Sequence, residues 1–288
     1  MNHFFIITNE TKDINWEVTR RIQNFLHKKG KTCIMRPDLA GAERTHERVT
    51  YAEDIPAETD CVIVLGGDGT LLRAARNLVN LNLPFLGINL GHLGYLTEGD
   101  RSSVVDILDR VIADEYIIEN RMMLKGRIKR PDGTIVNEDV ALNDITINRS
   151  RSLRIIKFKL YVNGEFLYLY TADGIVISTP TGSTAYNLSC GGPVVEPTAK
   201  LFLITPIAPH SLNNRSLILS SEDRIEIELI GSEKDPDSQV EYVVYFDGDS
   251  VVPLYPGDRI EIVRAPQETQ ILKLSTMSFL ETLRIKMS

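Results

Sequence analysis

Residues 61–72 read CVIVLGGDGTLL, and this stretch decides the fold. Its first five residues, Cys61 to Leu65, are apolar and mostly β-branched, without the polar alternation of a half-exposed strand. Such a run is typical of a central parallel strand that is covered on both faces. Three glycines around Asp68 follow at once, and residues 70–80 have helical character. The stretch therefore predicts one βα unit of a parallel sheet.

The same alternation extends over the first third of the chain. Residues 3–8 predict a short buried strand, and a helix follows, with Asp13 as its cap and Gly30 at its end. The apolar side of that helix is expected to comprise Ile14, Val18, Ile22 and Phe25 or Leu26. Another apolar run opens at Pro84. A last helix, capped by Ser102 or Ser103, is predicted to about residue 114, with its apolar side at Val105, Leu108, Val111 and Ile112. These elements predict an α/β N-terminal domain with a doubly wound, Rossmann-like parallel sheet.

The pattern changes after about residue 118. Asp132-Gly133, Asn163-Gly164 and Asp247-Gly248 each separate apolar or alternating runs, which is a hairpin signal. Residues 155–162 alternate, and residues 166–178 resume strand character. Helical periodicity returns only in residues 278–286. The middle and rear of the chain therefore predict a second, mainly antiparallel β domain.

Composition limits the functional classes. The 288 residues are 43% hydrophobic and 25% charged, with a formal charge of −7, which argues against nucleic acid or an anionic membrane as partner. No stretch approaches the about 18 apolar residues of a membrane span, and the N-terminal apolar run is too short for a signal peptide. The three cysteines lack metal-ligand spacing, as expected of buried thiols in a reducing cytoplasm.

The glycine loop is the sharpest local feature. Gly66, Gly67 and Gly69 would let a phosphate approach the backbone, and the helix behind them favours an anion. Asp68 would then hold Mg²⁺ or accept the proton of an attacking hydroxyl. The alternative is a tight βα turn in which Asp68 only caps the helix. The spacing matches neither the Walker A motif nor Gly-x-Gly-x-x-Gly. Arg73, one turn further on, could reach a phosphate or face solvent.

A second run, residues 171–193, is dense in hydroxyl, glycine and proline residues. It offers hydrogen bonds, the Asp173 carboxylate and the aromatic face of Tyr186, an inventory that suits a purine and a ribose. A structural β-rich crossover, with the glycines and prolines as turn formers, explains the same residues equally well.

Together these motifs resemble the NAD kinase family. Gly-Gly-Asp-Gly-Thr at 66–70, Asn143-Asp144, the loop at 89–97 and the long element at 173–193 match the family in the same order. Lipid kinases and phosphofructokinases share the glycine loop but lack the long element. The resemblance implies a chain that uses ATP to phosphorylate the adenosine ribose 2′-hydroxyl of NAD, giving NADP.

The resemblance also implies roles for single residues. Asp68 would act at the reacting hydroxyl as the catalytic residue, with donor phosphates at Gly66, Gly67, Thr70 and Arg73. NAD would be bound by Gly69, Tyr95, Asn143, Asp144, Asp173, Thr181, Thr184, Ala185, Tyr186 and Ser189. Mg²⁺ would be held by the ATP phosphates, and no protein ligand is assigned to it. Domains at 1–118, 119–265 and 266–288 are expected, the last returning to the first, in a homodimer or homotetramer.

Some alternatives stay open at this point. A lipid or sugar kinase could use the same glycine loop, and a non-catalytic sensor could bind a dinucleotide without turnover. His92, between two glycines, is more typical of a loop residue than of a catalytic base. Thr276 stands where the family often has histidine, which leaves the role of that position open.

Overall fold

A computed structural model describes residues 1–35, 50–91, 94–149, 156–210, 215–230, 242–274 and 277–287. The chain divides into two compact units. The first comprises Met1–Arg121 and Gln267–Ser288, and the second comprises Met122–Pro266. The first unit is thus built from both ends of the chain, and the second is one continuous segment.

The regular elements within those ranges are sixteen strands and five α-helices. The strands are β1 (His3–Thr8), β2 (Thr32–Met35), β3 (Cys61–Gly66), β4 (Pro84–Asn89), β5 (Ile117–Lys129), β6 (Ile135–Ala141), β7 (Asp144–Arg149), β8 (Ile156–Val162), β9 (Glu165–Ala172), β10 (Gly174–Ser178), β11 (Leu201–Ile207), β12 (Leu217–Ser220), β13 (Ile225–Ile230), β14 (Tyr242–Phe246), β15 (Ser250–Leu254) and β16 (Arg259–Lys273). The helices are α1 (Glu17–Lys28), α2 (Asp68–Asn77), α3 (Val104–Ile112), α4 (Tyr186–Ser189) and α5 (Phe279–Met287).

The sheet of the first unit is parallel, in the order β2-β1-β3-β4. The far end of β16 continues it, because Gln270 and Ile271 pair in parallel with the start of β4. Alternate residues of β1 and β3 pack against α1 and α3 in one apolar cluster, and the intervening residues Phe5, Val62 and Val64 are buried as well. Both faces of the sheet are therefore covered, and the predicted doubly wound α/β class is confirmed.

The helix after β1 begins later than its apolar spacing predicts. Asp13 is confirmed as its cap, since its carboxylate accepts the N–H groups of Val18 and Thr19, each at 2.9 Å. Ile14 is not on the buried side: it lies in a 3-10 turn and is 72% exposed. The positive φ of Asn15, 56°, interrupts the helix between Asp13 and Glu17.

The helix before residue 114 has Ser103, one of the two predicted serines, as its N-cap residue, but without a capping bond from the side chain. Neither Ser102 nor Ser103 caps it with its side chain, and α3 starts at Val104. The carboxylate of Asp100 accepts the N–H groups of both serines, at 2.9 and 3.1 Å. The Ser103 hydroxyl donates to the Asp100 carbonyl oxygen at 3.2 Å and makes no bond to an N–H group of the first helical turn.

The second unit is antiparallel, as predicted. One sheet has the order β12-β11-β10-β7-β14-β15, and β13 pairs with β8 and with the first half of β16. Side chains from both sets of strands form one apolar cluster that includes Ile175, Phe202 and Ile227. This second fold class is confirmed.

All three predicted hairpin turns are present. Asn163-Gly164 joins β8 to β9, with φ of 54° and 83°, the two positive values that a type I′ turn requires. The predicted strand at 166–178 is two strands, β9 and β10, because the strand is interrupted at Asp173. The final helix is confirmed as α5, but none of its residues is buried, and Leu280 is 71% exposed. Within the described ranges, no helix is long and apolar enough to cross a membrane.

Candidate active site

The glycine loop lies at the carboxyl end of β3. Gly66 closes the strand, Gly67 is the extended N-cap residue of α2, and Asp68 is the first helical residue, two residues earlier than predicted. None of Gly66, Gly67 and Gly69 has a positive φ angle. Gly66 is needed for space, because a Cβ there would lie 2.4 Å from the Thr70 hydroxyl. The N–H groups at the start of α2 point toward the edge where open parallel sheets bind ligands.

Asp68 joins this loop to the next one. Its carboxylate accepts the N–H of Tyr95 at 2.8 Å and the N–H of Leu96 at 3.2 Å. A Cβ on Gly94 would lie only 1.9 Å from Asp68 Oδ1, so residue 94 must be glycine for the acid to reach this position. The idea that Asp68 only caps its own helix is therefore wrong. Each carboxylate oxygen carries two lone pairs, so each keeps one for a ligand.

The loop after β4 is held by its own hydrogen bonds. Asn89 Oδ1 accepts the N–H of Gly91 at 2.7 Å, and Leu90 N–H donates to the carbonyl oxygen of Gly66 at 2.9 Å. Tyr95 is half-buried, and Lys286 Nζ of α5 lies 4.0 Å from the centre of its ring. Burial raises the pKa of Tyr95, and the charge of Asp68 adds to that effect. His92 and Thr276 lie outside the described residues.

In the second unit, Asn143 and Asp144 stand at the start of β7. The carboxylate of Asp247 accepts three consecutive N–H groups there, those of Leu142 at 2.8 Å, Asn143 at 2.7 Å and Asp144 at 3.2 Å. The sequence showed Asp247 only as half of a hairpin dipeptide. Nothing in its local pattern indicates contacts about a hundred residues away, so this residue was missed.

Asp144 is 6% exposed, beside the charge of Asp247. Burial, and next the charge of Asp247, raise the pKa of the Asp144 carboxyl from 3.8 to about 7, although a hydrogen bond from Thr146 at 3.0 Å opposes the rise. A carboxyl with this pKa can give or take a proton near neutral pH.

The residues after β10 turn back onto Asn143. Thr179 N–H donates to the Asn143 carbonyl oxygen at 2.9 Å, and the Thr179 hydroxyl donates to the carbonyl oxygen of Leu142 at 2.6 Å. A Cβ on Gly182 would lie 2.2 Å from the Asn143 oxygen, so the approach requires glycine. Asn143 and the predicted segment that contains Thr181, Thr184 and Ala185 are thereby neighbours.

Asn187 holds this segment together and was also missed. Its buried amide donates to the carbonyl oxygens of Ser183 at 3.2 Å and Pro193 at 3.1 Å, and its oxygen accepts the hydroxyl of Thr205 at 2.7 Å. A buried asparagine in a polar run has no sequence signal that separates it from a surface residue. Asn187 ties both ends of the turn to β11.

The remaining predicted residues of this unit differ in solvent exposure. Tyr186 is 41% exposed and Ser189 is exposed, while Thr181 is buried. Burial raises the pKa of Tyr186, followed by smaller effects of Cys190 and Asp144. Asp173 Oδ2 lies 3.2 Å from a guanidinium nitrogen of Arg149. The structure thus groups the predicted residues by unit: Gly66, Gly67, Asp68, Gly69, Thr70, Arg73 and Tyr95 in the first, and Asn143, Asp144, Asp173, Thr181, Thr184, Ala185, Tyr186 and Ser189 in the second.

A parallel α/β unit with a glycine loop and an acid at its carboxyl edge, continued by an antiparallel β unit, defines a kinase-class enzyme. The ATP-NAD kinase N-terminal domain model matches residues 4–116, and the ATP-NAD kinase C-terminal domain model matches residues 142–274. The chain belongs to the NAD kinase family.

Individual relatives agree. The chain is 45% identical to a NAD kinase of Lachnospira eligens over 297 residues, covering all of both chains. It is also 45% identical to a NAD kinase of Agathobacter rectalis over 287 residues, covering 100% of this chain and 99% of the relative. Among solved structures it is similar to a yeast NADH kinase complexed with NADH, with TM-score 0.85 and 26% identity, covering 100% of this chain and 87% of that one. A NAD kinase from Archaeoglobus fulgidus in complex with ATP has the same fold, with TM-score 0.74, 24% identity and 94% of each chain covered.

Proposed function

We propose that the chain transfers the terminal phosphoryl group of ATP to the 2′-hydroxyl of the adenosine ribose of NAD, forming NADP and ADP. The observation that carries the proposal is the position of Asp68. It is a carboxylate at the start of α2, oriented by two backbone N–H groups, within a chain of the NAD kinase family. The long element at 173–193 distinguishes this proposal from a lipid or sugar kinase.

In the proposed mechanism, Asp68 orients the ribose hydroxyl and accepts its proton as the phosphoryl group is transferred. The transition state of phosphoryl transfer is loose, so positioning and late proton acceptance suffice even for a weak base. The bonds from Tyr95 and Leu96 hold the carboxylate in one orientation before substrate arrives, which lowers the entropy cost of reaction. Gly67 and Thr70, with Gly66 and Arg73 beside them, bind the donor phosphates at the positive end of α2.

Several of the residues proposed for NAD lie in the second unit. Tyr186 offers an exposed ring face for the adenine, Thr181 and Thr184 precede it in the same segment, and Asn143 is bonded to Thr179 of that segment through its backbone oxygen. Asp144 would bind a ribose hydroxyl. The other contacts proposed for NAD are Gly69, Tyr95, Asp173, Ala185 and Ser189.

The reaction would require Mg²⁺ or another divalent cation. Among the residues that the structure describes, no three His, Cys, Asp or Glu side chains form a metal-binding group. Mg²⁺ commonly keeps its waters and binds through substrate phosphates with one or two carboxylates. We propose that the ion arrives with ATP, where it supplies charge neutralisation of the phosphates.

We also propose that the protein is a homo-oligomer. Strand β9 ends the order β13-β8-β9, and four successive apolar side chains on it are exposed: Phe166, Leu167, Tyr168 and Leu169. An exposed apolar edge strand favours pairing with another chain. We propose a cytoplasmic location, since Cys61 is a buried cysteine that forms no disulfide.

The test is NADP formation from NAD and ATP-Mg²⁺, measured with a coupled dehydrogenase. Asp68→Asn should lower kcat by about a hundredfold or more, with NAD affinity by calorimetry changed little, because general-base positioning typically supplies 10²–10⁴-fold. Asp106→Asn, the same change at an exposed acid on α3 of the same unit, is the control for the loss of one surface charge. Absence of NADP formation by the wild type, with turnover of a lipid or sugar, would reject the function. Undiminished turnover by Asp68→Asn would reject the mechanism alone.

A further inference from the structure

A lysine that belongs to none of the motifs lies against the glycine loop. Lys12 is in the turn between β1 and α1. A Cβ built on Gly67 would lie 3.5 Å from Lys12 Nζ, and a Cβ built on Gly91 would lie 3.6 Å from the same atom. The ammonium group therefore stands beside two loops that follow the adjacent parallel strands β3 and β4.

The backbone of Lys12 is fixed relative to those loops. Its N–H donates to the carbonyl oxygen of Asn9 at 2.9 Å, and Asn9 N–H donates to the carbonyl oxygen of Leu65, at the end of β3, at 2.8 Å. The Asn9 amide also reaches the Thr70 hydroxyl in α2 at 3.4 Å, and the Arg101 guanidinium donates to the Lys12 carbonyl oxygen. The turn is thus attached to the strand and to the helix that flank the glycines.

The charges around Lys12 indicate an anionic ligand. In the described part of the chain, no carboxylate forms an ion pair with the exposed Lys12, and the carboxylate of Asp68, which follows Gly67 in the sequence, is bonded to Tyr95 and Leu96. The start of α2 carries the positive end of the helix dipole, so a cation there is repelled unless an anion lies between them. Glycine at positions 67 and 91 also adds no side chain next to the ammonium group.

We propose that Lys12 binds the phosphate chain of the donor nucleotide, bridging the loop at Gly67 and the loop at Gly91. The inference rests on the proposed function of this site and adds a cation that its motifs do not include. A lysine ammonium binds phosphate as a point charge, without the geometry of a bidentate arginine. Recognition at Lys12 should therefore depend on the phosphate chain and not on the adenine base.

The test compares Lys12→Met and Lys12→Arg with Lys28→Met, a change of an exposed lysine on α1 of the same unit. Lys12→Met should raise KM for ATP about tenfold or more, as expected for loss of one charged hydrogen bond, and KM for NAD less than about twofold. The inhibition constant of inorganic tripolyphosphate, used as a competitive inhibitor against ATP, should rise by the same factor. Lys12→Arg should recover part of the loss, and Lys28→Met should match the wild type.

Two outcomes would overturn the proposal: an unchanged KM for ATP in Lys12→Met, or a rise confined to KM for NAD. If the wild type proves inactive on NAD, the proposed function fails, but the lysine is still tested by calorimetry with tripolyphosphate alone. In that experiment, equal binding by wild type and Lys12→Met would reject the phosphate role independently of any activity. Circular dichroism of each variant excludes unfolding as the cause.

Discussion

The buried carboxyl of Asp144 should make the protein less stable as the pH rises. Its pKa is 3.8 when unfolded and about 7 when folded, so the folded state binds this proton more tightly. Its stabilising contribution is complete below about pH 4 and is lost as the pH rises through about 7. At ~1.4 kcal/mol per pKa unit, the rise corresponds to about 4 kcal/mol, of which about 3 kcal/mol is lost between pH 5 and pH 8.

The variant Asp144→Asn isolates this contribution, because asparagine does not titrate. Urea unfolding followed by far-UV circular dichroism at several pH values gives the free energy of unfolding of each protein. From pH 5 to pH 8, the free energy of unfolding of the variant should rise relative to that of the wild type by about 3 kcal/mol, most of it below pH 7. Asp249→Asn, at an exposed acid of the same unit, controls for the loss of one charge.

A difference that stays constant within about 0.5 kcal/mol over this range would refute the reasoning, because it would mean that the proton is bound equally well in both states. The expected result has a functional meaning. An acid that destabilises the protein at neutral pH is retained at a cost, which is typical of residues that act on a ligand.

Three further predictions test the contacts that hold the site. Gly94→Ala places a methyl group 1.9 Å from Asp68 Oδ1, so it should displace the acid and lower kcat by about tenfold or more, as measured in the NADP assay; normal turnover would show that the loop adjusts freely. Asn187→Ala removes three buried hydrogen bonds and should lower the free energy of unfolding by about 2–4 kcal/mol in urea titrations, and a loss under about 1 kcal/mol would contradict this. Phe166→Lys combined with Leu169→Lys charges the edge of β9 and should reduce the mass of the assembly in light scattering, whereas an unchanged mass would place the interface elsewhere.

Much of the fold could be predicted because each unit has a recognisable sequence pattern: strands followed by helices in the first, and strands separated by hairpin dipeptides in the second. The apolar run at 61–65 is long enough to be a strand and is followed directly by glycines and a helix, so the βα unit was recognisable. The hairpin dipeptides were equally informative, since Asn163-Gly164 can adopt positive φ angles that most residues avoid. Helix starts were less predictable. Ser103 is the N-cap residue of α3 but makes no capping bond with its side chain, and Asn15 shortened the first helix at its beginning.

The chemistry of the site was predictable in part. The motifs located Asp68 and Asn143, but they did not reveal what holds them. Asp68 binds N–H groups 27 and 28 residues away, and the carboxylate of Asp247 binds Asn143 from 104 residues away. Contacts at such separations depend on how the strands pair. The local pattern around each residue therefore carries no signal for them.

The strand β16 has a consequence for synthesis on the ribosome. Its second half completes the parallel sheet beside β4, and Leu272 and Leu274 join the apolar cluster of the first unit. The continuous segment Met122–Pro266 emerges before these residues do, so the first half of the nascent chain must wait with an open strand edge while the later half can already fold. A polypeptide truncated before residue 267 would therefore have a first unit that lacks its last strand and is prone to aggregate. During synthesis, a chaperone that covers β4 would protect the same open edge.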